Sequence, residues 1–260
     1  MPDLTEPPVR DLSDAHTEMP ALAGRKAIVT GGTTGIGRAI AVLLASEGVK
    51  VYVCGRDPQH LEDGLDRIRQ VGDGDGMSVD LADADGVDRF IAGASDYLGD
   101  FDIAIVNAAI PAQGLTQMSA EELRYAIATD FTAYLATAHA AAAIMKDHGD
   151  IVLIGSMSAH VLGPGSSVYA GMKAGIAGFA EALRKELGPK GIKVCNVEPG
   201  KTGADFQYPS FSAEEQAEQI NKDWMLRAED IAVACHYLLT QPRRAVVQQI
   251  TIAPRTQEKE

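Results

Sequence analysis

Short runs of apolar residues alternate along the chain with longer stretches in which apolar positions recur every three or four residues. The short runs predict buried strands, and the longer stretches predict amphipathic helices. The predicted strands cover residues 26–30, 49–54, 77–80, 103–107, 151–154, 193–197 and 246–252. The first predicted helix ends at residue 47, and the others cover residues 58–71, 84–98, 121–146, 167–187 and 228–240. This alternation predicts an α/β fold: a single doubly wound, Rossmann-type domain with seven mainly parallel strands and helices on both faces.

Two segments lack this regular pattern. Residues 1–22 carry four prolines among acidic residues, which predicts a mobile N-terminal arm before a folded domain over residues 23–260. Residues 203–227 are polar and aromatic, aperiodic at first and then weakly helical. Such a segment is typical of a flexible lid over a substrate site.

Composition narrows the range of partners and compartments. The formal net charge of −13 argues against nucleic acid or an anionic membrane as a partner. No apolar run approaches the length of a membrane span, and the N-terminus does not resemble a signal peptide. Cys54, Cys195 and Cys235 are widely spaced in apolar contexts. They predict reduced core residues of a cytoplasmic protein and no metal site.

A glycine-rich turn follows the first predicted strand. The sequence from Gly31 to Gly37 is Gly-Gly-Thr-Thr-Gly-Ile-Gly, and a helical pattern comes next. Strand, turn and helix in this order aim backbone N–H groups and a helix N-terminus at a phosphate. The turn therefore predicts a dinucleotide site that includes Gly31, Thr33, Gly35, Ile36 and Gly37. The alternative is a plain strand-to-helix turn, which rarely needs four glycines.

The ends of the second and third predicted strands carry groups suited to the adenosine half of such a cofactor. Arg56 stands where a dinucleotide site distinguishes its cofactors, and a guanidinium suits the 2′-phosphate of NADP. We therefore expect NADP(H), with NAD(H) as a second option. The alternative for Arg56 is a solvent-exposed pair with Asp57. Asp80 either accepts from the adenine amino group or caps a helix, and the sequence favours neither.

Ser156, Tyr169 and Lys173 form a second chemical motif. Ser156 follows a predicted strand, and the other two residues are four apart, so that they share one helix face. A phenol titrates at about pH 10 and is a poor acid or base at neutral pH unless a cation stabilises the phenolate. Lys173 is placed to supply that cation, and Ser156 to hydrogen-bond a substrate oxygen. Taken alone, the Tyr–Lys pair is more typical of a solvated helix face.

The predicted strand ends bring these motifs to one place. Ligands of doubly wound sheets bind at the carboxyl ends of the strands. The glycine turn, Asn107, Ser156 and the Pro199-Gly200 pair all follow predicted strands. This shared location predicts one site.

In order and spacing the motifs resemble the short-chain dehydrogenase/reductase family over about residues 24–252, and in length its carbonyl reductase and alcohol dehydrogenase members. Residues 30–37 resemble its T-G-x-x-x-G-x-G motif, and Asn107-Ala108-Ala109 resembles its Asn-Ala-Gly motif. Its serine and Y-x-x-x-K residues are matched at the expected separation. The resemblance implies nicotinamide binding, with Asn107, Tyr169, Lys173, Gly200 and Thr202 among the cofactor contacts.

The resemblance also implies hydride transfer to or from the carbonyl carbon of a ketone, aldehyde or secondary alcohol. Tyr169 is then the proton donor or acceptor, and Ser156 holds the substrate oxygen. Lys173 lowers the pKa of Tyr169 and bonds the nicotinamide ribose. Family members commonly pair the helices predicted at 121–146 and 167–187 across a two-fold axis, so we expect a homodimer or homotetramer.

Two departures from the family pattern concern the site. Asp130 stands where the family usually has a catalytic asparagine, and we assign it to the catalytic set. An ionised aspartate accepts hydrogen bonds but donates none, and its charge favours protonated Lys173. Asp130 is also the feature that favours the rival interpretation, a non-catalytic NADP-binding sensor or scaffold. Lys201 and Thr202 stand where members usually place an apolar residue and a later threonine.

The sequence does not identify the substrate. Several side chains are equally suited to line a substrate pocket or to pack within the predicted lid: His160, Pro164, Phe206, Tyr208, Phe211 and Trp224.

Overall fold

The central sheet has seven strands, and all of them are parallel. A computed structural model describes residues 19–204, 207 and 210–256. The strands in chain order are β1 (Lys26–Thr30), β2 (Lys50–Gly55), β3 (Gly74–Ser78), β4 (Ile103–Val106), β5 (Gly149–Ile154), β6 (Ile192–Pro199), β7 (Thr202–Gly203), β8 (Leu226–Arg227) and β9 (Gln249–Ile252). The order across the sheet is β3-β2-β1-β4-β5-β6-β9, and β7 pairs only with β8. The predicted doubly wound fold is confirmed.

Helices cover both faces of this sheet. They are α1 (Gly35–Ser46), α2 (Pro58–Arg69), α3 (Gly86–Leu98), α4 (Ala120–Ile127), α5 (Ala133–Ile144), α6 (Ser167–Leu187), α7 (Ala213–Asn221) and α8 (Ala228–Leu239). Side chains of β1 alternate between two cores: Ile28 packs with α3, α5 and α6, whereas Ala27 and Val29 pack with α1, α2 and α8. Successive residues of a strand point to opposite faces, so a strand buried on both sides reads as the continuous apolar run seen in the sequence.

The strand order places a cleft at the carboxyl edge of the sheet. Strand β1 pairs with β2 on one side and with β4 on the other. Successive strands are therefore added on one side of β1 up to β3 and on the opposite side from β4 onwards. The connections after β1 and β4 leave towards opposite faces and open a crevice between them. The segments that follow β5 and β6 lie at the same edge.

Strand β3 begins and ends earlier than the sequence pattern predicts. The predicted strand at 77–80 was wrong in its boundaries, because β3 covers Gly74–Ser78. Its sequence, Gly-Asp-Gly-Met-Ser, has little apolar character, and it lies at the sheet edge, paired only with β2. Backbone hydrogen bonds rather than apolar side chains define such a strand. Asp80 therefore lies two residues beyond the strand.

The long helix predicted at 121–146 is interrupted by a π-helical turn. Helix α4 ends at Ile127, residues Ala128–Thr132 form the π turn, and α5 begins at Ala133. An inserted π turn rotates the residues that follow it relative to a regular helix, and such turns are frequent at functional sites. Asp130 is in this turn and is completely buried.

The segment predicted as a lid contains regular structure. Helix α7 lies between β7 and β8, and its N-cap is Ser212, which forms a capping box with Glu215. Residues 205, 206, 208 and 209 are outside the described residues, and Phe206 and Tyr208 are among them. Residues 1–18 of the predicted arm are also outside, whereas Leu22 is buried. The arm and the lid stay predictions. Within the described residues, no helix has the length and apolar character that crossing a membrane requires.

Candidate active site

A cleft of about 980 Å3 opens at the carboxyl edge of the sheet. It brings together most of the residues that the sequence singled out: Gly31, Thr33, Gly35, Ile36, Arg56, Asp80, Asn107, Ser156, Tyr169, Lys173, Gly200 and Thr202. Two predicted residues, Gly37 and Asp130, do not line it. Gly37 lies beneath the glycine turn, and Asp130 is buried behind the residues that line the cleft.

The glycine turn needs glycine because the backbone crosses itself closely. Gly31 has a φ of +63°, and a Cβ there would lie 2.9 Å from Ala108 Cα. A Cβ at Gly37 would lie 2.1 Å from Gly31 O, so a side chain at either position would force the turn apart. Asn107 fixes the same turn from β4, because its Nδ2 donates to Thr30 O at 3.0 Å and to Gly31 O at 3.1 Å. The turn is thereby held with its amides at the start of α1.

Ser156, Tyr169 and Lys173 meet at the other end of the cleft. Ser156 directly follows Gly155 at the end of β5, and its Oγ accepts from Ser158 N at 3.1 Å. Tyr169 and Lys173 are one turn apart in the first half of α6. The side chain of Ser156 hydrogen-bonds that of Tyr169. The ammonium of Lys173 lies 5.5 Å from the centroid of the Tyr169 ring.

Lys173 is almost completely buried, and its ammonium is hydrogen-bonded by the protein. Its Nζ donates to Ile154 O at 3.0 Å and to Tyr134 Oη at 3.3 Å. Tyr134 Oη in turn donates to Ile154 O at 3.0 Å. Sequence reasoning missed Tyr134, although it lies four residues after Asp130 on the same predicted helix. An ammonium has three donors, so one remains for a ligand in the cleft.

Asp130 is the main charge acting on this cluster. Its Oδ1 accepts from Ile110 N at 2.8 Å, and its Oδ2 is buried without a hydrogen-bond partner among the residues that the structure describes. Burial raises the pKa of Asp130 to about 6, and the nearby positive charge of Lys173 limits the rise. A carboxyl group with an unsatisfied oxygen in an apolar wall favours its protonated form in this way.

The same charge acts on the two titratable groups of the motif. Burial lowers the pKa of Lys173 to about 8, and ionised Asp130 opposes this change. The pKa of Tyr169 is raised above its ordinary value, first by burial and then by Asp130, while the hydrogen bond from Ser156 lowers it. The expected lowering of this pKa by Lys173 is not found, because burial makes Lys173 lose its proton at a lower pH than the phenol does. Asp130 therefore disfavours the phenolate and favours the ammonium, as the sequence comparison of Asp with Asn led us to expect.

The end of the cleft near Arg56 and Asp80 rules out two of the alternatives that the sequence left open. Arg56 donates from Nη1 to Tyr125 Oη at 2.6 Å, while the Asp57 side chain caps α2 by accepting from Gln59 N at 2.8 Å. The alternative of an Arg56–Asp57 pair was therefore wrong. Asp80 does not cap α3, whose N-cap is Asp85, but accepts from Ala82 N at 2.9 Å and from Tyr125 Oη at 2.5 Å.

Lys201 and Thr202 lie where β6 leads into the predicted lid. Lys201 lines the cleft with its Nζ 4.0 Å from the ring centroid of Phe211, which also lines the cleft. The hydroxyl of Thr202 donates to Gly200 O at 3.0 Å and is therefore turned back onto the strand end. His160 faces the buried Glu198, with 3.1 Å between its Nε2 and a carboxylate oxygen.

A direct sequence match supports the assignment that the motifs of the cleft and the sheet order indicate. The sequence model of the short chain dehydrogenase family matches residues 25–215. This chain belongs to the short chain dehydrogenase family. An uncharacterized oxidoreductase of Staphylococcus aureus is 31% identical to it over 242 residues, covering 91% of this chain and 100% of that protein. The serine 3-dehydrogenase of Agrobacterium fabrum is 28% identical over 235 residues, covering 87% and 92% of the two chains.

Solved structures agree with this short chain dehydrogenase assignment. A short chain dehydrogenase from Burkholderia cenocepacia in complex with NADP superposes with a TM-score of 0.81 and 27% identity, covering 90% of this chain and 98% of its own. A short-chain type dehydrogenase/reductase from Mycobacterium marinum gives a TM-score of 0.80 and 31% identity, covering 90% and 95%. Fold and family are therefore shown, and the chain belongs to a family of oxidoreductases.

Proposed function

We propose that this short chain dehydrogenase is NADP(H)-dependent and transfers a hydride between the nicotinamide and a ketone, aldehyde or secondary alcohol. The observation that carries the proposal is the convergence of Ser156, Tyr169 and Lys173 on the cleft that begins at the glycine turn. The oxidoreductase relatives and the NADP complex of the Burkholderia protein support the same class.

The residues of the cleft fit a dinucleotide. The turn has no room for a side chain at Gly31, so its backbone can approach a pyrophosphate closely. Helix α1 has no acidic residue in its first turn, so its N-terminus is electrostatically suited to an anion. Arg56 supplies a positive charge at the far end, beside Asp80. When bound, the nicotinamide supplies or accepts the hydride.

The protein's own groups handle the substrate oxygen and its proton. In this proposal Ser156 hydrogen-bonds the substrate oxygen, and Tyr169 donates the proton during reduction or accepts it during oxidation. Lys173 is bonded to Ile154 O and to Tyr134, which fixes its ammonium near the phenol. Its remaining N–H is available for a ribose hydroxyl.

The rival function is a non-catalytic NADP sensor or scaffold, and Asp130 is the observation that favours it. A panel of carbonyl compounds and alcohols, each tested with both cofactors and followed by the near-ultraviolet absorbance of the dihydronicotinamide, separates the two. Cofactor-dependent turnover of at least one substrate supports the enzyme. Binding of NADPH without turnover across a broad panel supports the sensor.

We also propose a homodimer or homotetramer located in the cytoplasm. On α6, a Cβ at Gly171 or at Gly178 would have no heavy atom of the described chain within 4 Å, and the two positions are seven residues apart on one helix face. A face with such small residues allows a second helix to approach closely.

The cytoplasm is proposed because Cys54, Cys195 and Cys235 are buried free thiols, as expected in a reducing compartment.

A further inference from the structure

We infer that Tyr125 is a positioning residue that holds Arg56 for the 2′-phosphate of NADP(H) and so sets the preference between the two nicotinamide cofactors. The inference rests on the proposed function, because it concerns the cofactor of that same site. Tyr125 lies on α4, whereas Arg56 follows β2 and Asp80 follows β3. The hydroxyl of Tyr125 thus links three segments that are separate in sequence and meet only in the folded protein.

Hydrogen-bond chemistry fixes the direction of this connection. A guanidinium only donates, so Tyr125 Oη accepts from Arg56 Nη1 over 2.6 Å. The single phenolic proton is then given to Asp80 Oδ2, over 2.5 Å. Burial raises the pKa of Tyr125, which keeps that proton in place. Asp80 is itself held by accepting from Ala82 N at 2.9 Å, so the chain of bonds ends on a backbone amide.

This arrangement matters because Arg56 is exposed and its side chain is long. An unrestrained arginine loses much rotamer freedom when it binds a phosphate, and that loss weakens binding. The hydroxyl of Tyr125 removes part of this freedom beforehand. The ring centroid of Tyr125 also lies 5.8 Å from the guanidinium carbon of Arg56, and the resulting cation–π contact restrains the same group.

The phenol also keeps two opposite charges apart. Without its hydroxyl, the guanidinium of Arg56 is free to bond directly to the carboxylate of Asp80 across the gap that the hydroxyl now bridges. A direct carboxylate pair occupies the fork of N–H donors that a phosphate needs. Among the residues that the structure describes, the guanidinium of Arg56 is hydrogen-bonded only at Nη1, by this neutral hydroxyl, so its other donors stay available for a 2′-phosphate.

The test is the affinity of purified Tyr125→Phe for 2′-phospho-ADP-ribose and for ADP-ribose, measured by calorimetry. These ligands differ only in the 2′-phosphate and cannot react. We expect the variant to bind the 2′-phosphorylated ligand about threefold to tenfold more weakly, as for the cost of immobilising one long side chain on binding. Its affinity for ADP-ribose should change less than about twofold. An equal loss for both ligands, or a gain for the 2′-phosphorylated one, overturns the inference.

A matched control is Tyr97→Phe. Tyr97 is another partly buried tyrosine whose hydroxyl donates to a carboxylate, Asp73 Oδ1 at 2.6 Å, but unlike Asp80 this carboxylate does not line the cleft. This variant should bind both ligands like the wild type. In an Arg56→Ala background, Tyr125→Phe should have no further effect on the 2′-phosphorylated ligand, because the residue that it positions is gone. An additive loss there contradicts positioning through Arg56.

Wild-type affinities separate this inference from the proposed function. If the wild-type protein binds neither NADPH nor NADH, the proposed function fails and the inference fails with it. If the wild type binds NADPH and prefers the 2′-phosphorylated ligand, the proposed cofactor stands. The Tyr125→Phe and Tyr97→Phe results then decide the inference alone.

Discussion

Asp130→Asn is expected to lower the apparent pKa that governs oxidation by this site. Asp130 is completely buried, and its charge raises the pKa values of both Tyr169 and Lys173. The amide keeps the oxygen that accepts from Ile110 N and removes the charge. Both groups should therefore lose protons at lower pH. Because they interact, the value observed belongs to the site rather than to Tyr169 alone.

Coulomb's law gives the size of this effect. At an effective dielectric constant of about 20, one pKa unit (about 1.4 kcal/mol) is the interaction of unit charges about 12 Å apart, and a closer charge acts more strongly before screening. Solvent in the open cleft screens the charge, so we expect a downward change of about 0.5–1 unit. The assay is the pH dependence of kcat/KM for oxidation of an accepted alcohol. An unchanged profile in a correctly folded variant would place Asp130 outside the proton-transfer unit.

Stability measurements provide an independent check on the charge of Asp130. Its pKa is raised from 3.8 to about 6 by burial, so the folded state binds this proton more tightly than the unfolded state. The group's contribution to stability is therefore lost as pH rises from about 4 to about 6, by about 3 kcal/mol at most. Asp130→Asn should consequently stabilise the protein more at pH about 8 than at pH about 4 in urea unfolding. An equal effect at both pH values contradicts a buried carboxylate.

Three further predictions concern the cofactor, the sheet and the assembly. Arg56→Ala should weaken NADPH binding by roughly 1–3 kcal/mol and leave NADH binding nearly unchanged; equal losses would indicate a structural role. Asp150→Asn should destabilise the protein by about 3–5 kcal/mol, because this buried carboxylate lies within 3.0 Å of the cationic groups of Arg25, Lys193 and Arg243. The exposed Asp100→Asn control should cost less than about 1 kcal/mol, and similar losses would refute the network. Light scattering should show a dimer or tetramer, and a monomeric mass at micromolar concentration contradicts the proposed assembly.

Features encoded in neighbouring residues were predictable from the sequence. An apolar run predicts strand β1, a cluster of glycines predicts the turn, and a helical period predicts α1. Each of these patterns lies within a few adjacent positions. Helix α6 is equally local, and its predicted bounds agree with the structure. The doubly wound sheet followed from this alternation, because parallel strands with helical connections have few possible arrangements.

Features that depend on contacts between distant segments were not predictable. The residues of the π turn at Asp130 are of types that also occur in regular α-helices, so the sequence pattern predicted one long helix. Tyr134 and Tyr125 look like helix-surface or core tyrosines until the fold places their hydroxyls beside Lys173 and Arg56. Strand β3 has too few apolar residues for its position to be read from hydrophobicity. For the two tyrosines the partner is remote in sequence, and only the fold brings it into contact.

The most direct measurement is the turnover of Tyr169→Phe together with its affinity for NADPH. The change removes the phenolic hydroxyl, the group proposed to transfer the proton, and leaves the glycine turn and Arg56 intact. We expect an NADPH affinity within about threefold of the wild type and a loss of kcat of about 100-fold or more on an accepted carbonyl compound. Near wild-type turnover by the folded variant would contradict the proposed role of Tyr169 and, with it, the proposed mechanism.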